Sequence, residues 1–169
     1  RAFTSKCRRQ SIQCQTSHRA QLINMAEFWQ TKTLDQMSTA EWELLCDGCA
    51  KCCLVKLEDH DTGEIFHTNV TCELLDIETC KCSNYDGRHT VVNDCINLDQ
   101  NNIHTLGWLP KSCSYRLIAY GKALPDWHHL ISGNDQTVHS YGASLQGWVV
   151  SELDVSDDDI EDHIIRWVD

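Results

Sequence analysis

Cys46-Asp47-Gly48-Cys49-Ala50-Lys51-Cys52-Cys53 packs four cysteines into eight residues, and the fold turns on what those thiols are for. Nine of the chain's eleven cysteines lie between 46 and 113: these four, then Cys72, Cys80, Cys82, Cys95 and Cys113. Such density belongs either to disulfide scaffolds or to metal sites. The N-terminus lacks the apolar core of a secretory signal, and no run approaches the roughly 18 apolar residues of a membrane helix. The chain is therefore expected to be soluble and cytoplasmic, where stable disulfides are disfavoured. Nine is also an odd number for pairing, so metal ligation is preferred over disulfides and over free buried thiols.

Cys46-x-x-Cys49-x-x-Cys52 spaces three thiolates as a short loop does when it wraps a zinc ion or an iron–sulfur cluster. Cys53 follows at once, unlike the ferredoxin pattern. Neighbouring side chains are expected to diverge, which leaves Cys53 for a second metal or for a second iron of one cluster. Cys80-x-Cys82 is another local pair, and Cys72, Cys95 and Cys113 can add ligands only if the fold brings them in. Nine thiolates exceed one tetrahedral site and suffice for two. Two mononuclear centres with a spare cysteine, or one polynuclear cluster, would use them. By softness the ion is zinc or iron–sulfur, with copper(I) behind, and hard ions are excluded.

Around this cluster the sequence reads as a small single α+β domain, with a short hairpin and helices organised by the metal. Ser38-Thr39-Ala40-Glu41 is a capping box that opens a helix running into Cys46. The β-prone runs 54–57 and 65–70 flank the turn-rich segment 58–64 and read as a hairpin that carries Cys53 at its start and Cys72 past its end. Residues 80–105 are polar and irregular, as a loop ordered by metal would be. Leu109 to Tyr120 is expected to be helical after Pro110, with Cys113 in its first turns and Gly121 closing it. Trp148-Val149-Val150 suggests a strand. A final helix is expected from Ser156, packing Ile160, Ile164, Trp167 and Val168.

The formal charge of −11 is unevenly spread. Residues 1–24 hold five basic residues and no acidic one, while the remainder carries 9 basic and 25 acidic residues. A body so acidic, with no basic stripe, lacks the footprint for nucleic acid or an anionic membrane. Residues 1–24, with Cys7 and Cys14, are read as a disordered or non-native extension, and 25–169 as the cysteine-cluster domain, starting at Met25.

These residues resemble the bacterial CxxCxxCC cysteine-cluster family of zinc- or iron-chelating proteins, most closely its YcgN-like members. The resemblance runs from about 27 to 169, through Phe28-Trp29-Gln30, Cys46-Asp47-Gly48-Cys49, Cys52-Cys53-Leu54, Thr68-Asn69-Val70-Thr71-Cys72, Thr79-Cys80-Lys81-Cys82, Asp94-Cys95, Trp108-Leu109-Pro110, Cys113-Ser114-Tyr115-Arg116 and Leu124-Pro125-Asp126-Trp127-His128. All nine body cysteines fall on positions where that family has cysteine. Departures are His129 and Asn93, where proline is usual. The resemblance implies metal chelation more firmly than any reaction. A more distant relative with a similar cysteine box is the flagellin lysine N-methylase, which implies an iron–sulfur centre and possible methyl transfer.

Outside the cysteines, His128, His129 and His139 are candidates for a pocket or an extra ligand, against the blander reading of structural hydrogen bonding. Arg116 is a candidate partner for the cluster's negative charge, and Asp94 for orienting Cys95. Phosphate loops, nucleophile elbows and zincin helices have no sequence counterpart here. Three functions follow: an iron–sulfur or zinc protein of redox chemistry or metal handling, a zinc-stabilised interaction module, and a metal-dependent modification enzyme. Metal is the one partner the residues specify; a protein partner is not legible.

Overall fold

The computed structural model describes residues 28–165. The expected extension at 1–24, with Cys7 and Cys14, lies outside the described residues, as do Trp167 and Val168. Helices and small mixed sheets make the fold α+β, as the sequence implied. The chain divides into two compact units, one ending at Trp42 and one beginning at Glu43.

In the first unit α1, Phe28–Thr31, precedes a 3-10 turn at Leu34–Gln36. Helix α2, Thr39–Leu44, begins where the capping box placed it. The Ser38 amide donates to Glu41 Oε2 at 2.8 Å, and the Glu41 amide donates to Ser38 Oγ at 3.3 Å. Two helix-start amides are thus satisfied reciprocally. Lys32 Nζ reaches the same carboxylate at 2.6 Å.

The second unit is built on a hairpin. β1, Leu54–Glu58, pairs antiparallel with β2, Ile65–Thr71, from Leu54↔Thr71 to Glu58↔Ile65, with a bulge between Leu54 and Lys56. Asp59 turns the corner, its Oδ1 accepting from the amides of Asp61 and Thr62. This is the Asx chemistry that the run of turn residues advertises. A second hairpin joins β3, Leu75–Asp76, to β4, Lys81–Cys82, with Leu75 opposite Cys82. Further on come α3, Arg88–Val91, α4, Ser114–Ala119, α5, His129–Ser132, and α6, Thr137–Ser140.

Two short late strands complete the larger sheet. β5, Val150–Ser151, runs parallel to the end of β2, and β6, Ile164–Ile165, runs antiparallel to its middle. The apolar centre beneath is formed by Ala50, Leu54, Leu75, Cys80 and Leu145, with Cys53, Val149 and Ile165 against it.

Two expectations are corrected. The segment before Cys113 is not helical: Pro110 closes a turn through its carbonyl to the Cys113 amide, and α4 starts at Ser114 with Cys113 as its N-cap. The far end behaves as expected. Gly121, at φ 65°, lets the Lys122 amide return to the Leu117 carbonyl at 2.8 Å, a left-handed helix stop that glycine adopts without a Cβ clash. The C-terminal segment is a 3-10 helix, Asp157–His163, not an α-helix, and Ile164 is a strand residue. Two successive β-branched residues gain more by pairing with His67 and Thr68 on β2 than by continuing a helix that opens on three aspartates.

Candidate metal centre

The loop from Cys46 to Cys53 is bent by two left-handed residues, Gly48 at φ 74° and Ala50 at φ 61°. For alanine that conformation costs roughly 1–2 kcal/mol, so the surrounding contacts must hold it. Three of them are visible. Asp47 is buried and folds back on the loop, its Oδ1 accepting from the Cys49 amide at 2.9 Å. The Cys53 amide closes a 3-10 turn on the Ala50 carbonyl at 2.8 Å. Leu145, from far along the chain, donates its amide to the Cys49 carbonyl at 3.0 Å. Just ahead of the loop, fully buried His128 donates from Nε2 to the Leu45 carbonyl at 3.1 Å.

Distant cysteines are delivered by three devices. The first hairpin brings Cys72 back to the loop, where its amide donates to the Cys53 carbonyl at 3.0 Å. The β3–β4 pair then carries Cys82 alongside, and the Leu74 amide lies 3.5 Å from Cys72 Sγ. Cys113 is tied in through its neighbour: Ser114 Oγ donates to Asp47 Oδ2 at 3.3 Å. One buried carboxylate thus grips both the cysteine loop and the start of α4.

Cys52 and Cys53 do not diverge as expected. Their sulfurs lie 4.0 Å apart at the end of the 3-10 turn Lys51–Cys53. Thiolates about 2.3 Å from one tetrahedral zinc stand roughly 3.8 Å from each other, so this separation suits metal ligation. Cys80 stands apart. It is buried in the apolar centre at φ 54°, with its sulfur towards the Ser144 hydroxyl and the amides of Leu145 and Gln146. All nine described cysteines are unpaired. Among the described residues, no three His, Cys, Asp or Glu side chains stand at the mutual distances of an assembled ion site. The backbone gathers the thiols while their sulfurs remain uncollected.

The electrostatics follow from crowding. Burial, then the charges of Asp47 and Cys52, push the Cys46 and Cys49 thiols well above the usual thiol value. Burial takes Cys113 up to about 11. Cys52 goes the other way, down to about 7, held by the hydrogen bond from the Cys53 thiol and by the Lys56 ammonium, while Cys53 is raised in return. Cys46 and Cys52 keep accessible surface although the protein around them is dense enough to strip hydration. The accessible surface is what decides whether an ion can enter.

Lys56 is a cation of the site. Its Nζ donates to the Cys52 carbonyl at 2.9 Å and the Leu54 carbonyl at 2.6 Å, and it stands 4.2 Å from the centre of the Trp108 ring. Arg116, expected in this role, instead donates to the carbonyls of Gly107 and Leu109. His128 is absorbed by structure, with Nε2 on Leu45 and Nδ1 accepting from the Leu130 amide at 3.0 Å to cap α5. His139 meets Ser144 Oγ at 2.8 Å. Sequence reading passed over Asp47 and Lys56. The signals were a turn pair, Asp47-Gly48, inside the cysteine motif and a lone lysine interrupting an apolar strand of an acidic chain.

A loop of unpaired cysteines completed by thiols from two hairpins and a helix start defines a cysteine-cluster protein. Residues 45–114 match the CxxCxxCC family model, described as "Putative zinc- or iron-chelating domain". The chain is 55% identical over 141 residues to a UPF0260 protein of Rhodopseudomonas palustris, covering 83% of each chain. It is 52% identical to one of Agrobacterium fabrum over 86% of this chain and 90% of that one. It is 51% identical to one of Cellvibrio japonicus over 87% of this chain and the whole of that one. The chain belongs to the UPF0260 family. No solved structure matches it.

Proposed function

We propose that this protein carries a resident metal–thiolate centre, zinc or iron–sulfur, and works in metal handling or redox chemistry in a reducing, cytoplasmic setting. The observation that carries the reading is the return of Cys72 to the Cys53 backbone beside the loop 46–53, with every described cysteine unpaired. Unpaired soft ligands brought side by side at this density fit a borderline or soft ion and no hard one.

The ligands would come from Cys46, Cys49, Cys52, Cys53, Cys72, Cys80, Cys82, Cys95 and Cys113. A bound centre supplies cross-links between loops that lack a core and, where it is iron, an electron-transfer couple. The chain does the rest: Lys56 offsets thiolate charge at Cys52 and Cys53, and Asp47 fixes the spacing of Cys49 and Cys113. Metal analysis of anaerobically purified protein tests this. Stoichiometric zinc or iron is expected; visible absorption with acid-labile sulfide assigns iron–sulfur, and colourless zinc-loaded protein assigns zinc. Protein free of both metals, with all its thiols reactive, would overturn the reading.

Among the described residues no helix is long and apolar enough to cross a membrane. The interaction-module and methyl-transfer alternatives gain no observation of their own in the structure.

A further inference from the structure

Three of the nine basic residues beyond position 24, Lys111, Arg116 and Lys122, fall in a tract from 100 to 125 that contains no acidic residue. The rest of that body carries 25 acidic residues, so the tract is an island of opposite charge. The fold sets it against β2. Ile65 and His67, which share one face of the strand, line a cleft of about 530 Å³ together with Trp108, Leu109 and Pro110. Lys111 and Arg116 line the same cleft and also a second one of about 280 Å³, where Tyr120 and Lys122 join them. Among the described residues, no Asp or Glu lines either.

Arg116 is held in place before any ligand arrives. Its Nη1 donates to the Gly107 carbonyl at 3.2 Å and to the Leu109 carbonyl, so a side chain of α4 clips the loop that walls the cleft. These bonds engage one nitrogen of a guanidinium that has five N–H donors, and they orient the rest of the fork, which matches the planar geometry of carboxylate and phosphate. His67 supplies a further polar atom. Its Nε2 is buried and has no hydrogen-bond partner among the described residues, which leaves the wall with unused hydrogen-bonding capacity.

Volume and lining narrow the ligand. Pockets for small organic molecules run to about 300–1,000 Å³, far more than a bare inorganic anion fills. Ile65, Trp108, Leu109 and Pro110 offer apolar surface that only an organic body would cover. We propose that the cleft between β2 and the loop 105–111 binds a small organic oxyanion, a phosphate ester or a carboxylate, with its charged group on Arg116 and Lys111 and its apolar body against Trp108 and Pro110. The site uses no cysteine, so it stands or falls apart from the metal reading.

The test uses the full chain as purified and isothermal titration calorimetry with phenyl phosphate, phenylacetate, neutral benzyl alcohol and inorganic phosphate. One-site binding of phenyl phosphate or phenylacetate is expected, and the tighter of the two names the oxyanion. Benzyl alcohol and inorganic phosphate should each bind at least about tenfold more weakly, since each lacks one half of the recognition. Arg116→Gln should weaken the preferred probe about tenfold by removing a charged donor. Lys111→Gln, at an exposed position, should weaken it about threefold. Should Arg116→Gln misfold, Lys111→Glu places a repelling charge at the cleft without disturbing Arg116 and should weaken binding further than Lys111→Gln. Lys32→Gln, which makes the same change of net charge in the first unit, should leave the affinity unchanged. Failure of both aromatic oxyanions to bind, equal binding of benzyl alcohol, or a Lys111→Glu chain that binds as tightly as the wild type overturns the proposal.

Discussion

The hairpin of residues 54–71, which has Cys53 and Cys72 at its base, and the stretch 81–102, which carries Cys82 and Cys95, are stabilised by opposite means. In the hairpin, Leu54, Thr68, Val70 and Thr71 are buried and an antiparallel ladder with one bulge pairs the backbone. From Lys81 to Asn102 no residue is buried. Past its pairing with β3 and the Tyr85 hydroxyl on Glu43, what holds that stretch are local bonds: Gly87 and Asn84 in one turn, Asp99 and Asn102 in another, and Arg88 reaching the Tyr85 carbonyl and Asn97. Local turns of this kind compete poorly with water and with chain entropy. The lesson is that Cys82 and Cys95 sit on a segment with no apolar reason to stay folded, so an ion is the agent best placed to order it.

The contrast is broken most directly by removing metal. Chelation of the purified protein should abolish hydrogen-exchange protection across 81–102 while β1 and β2 keep theirs; equal loss in both regions would make the two one cooperative unit. A smaller effect, centred on the apolar side, is expected from Leu145→Ala. Leu145 is fully buried against Leu54 and Leu75, so truncation should cost about 2–5 kcal/mol in urea unfolding of the metal-free chain. A cost well below that range would show the core beneath the hairpin to be loosely packed.

Lys56 sharpens the comparison because it ties the hairpin to the cysteine loop before it. Lys56→Met keeps the stem over Trp108 but removes a charged donor from two carbonyls, a loss of roughly 1.5–3 kcal/mol. Metal affinity should fall as well, measured by competition with a chromophoric chelator; unchanged affinity would show that the ammonium does not offset the thiolates.

The smallest effect is expected with pH. Burial lowers the pKa of His128, and also those of His67 and His129, below the ordinary 6.5. The unfolded chain therefore takes up these protons first. Their stabilisation is complete above about pH 6.5 and is lost as pH falls through the lowered folded values. In the metal-free protein the urea midpoint should decline on acidification below that point. His128→Gln, which can still donate to the Leu45 carbonyl, should flatten part of the slope; an unchanged slope removes His128 from the account.

Much of this was legible from local signals. The capping box at Ser38 and Glu41, the hairpin with Cys53 and Cys72 at its base, and the Gly121 stop each rest on residues within a few positions of one another. The two-residue strands were not legible. Leu75–Asp76, Lys81–Cys82 and Ile164–Ile165 are too short for any hydrophobic period, and Ile164 becomes a strand residue only because Thr68 stands opposite it. The cysteines announced a metal site through their density and the Cys46-x-x-Cys49-x-x-Cys52 spacing. How the start of α4 is tied to the cysteine loop depended on Asp47, whose Oδ2 accepts from Ser114, 67 positions on, and no spacing rule encodes that.

The bond from the Leu145 amide to the Cys49 carbonyl has a consequence in time. A ribosome adding about 5–20 residues per second needs roughly 5–20 s to make the residues between them. For that interval the strained turn at Ala50 lacks its distal clamp, while Cys46 through Cys53 are already made and their reduced thiols are open to any ion that reaches them. The loop's thiols are thus made well before Leu145, whose late amide closes over whatever arrangement they hold by then.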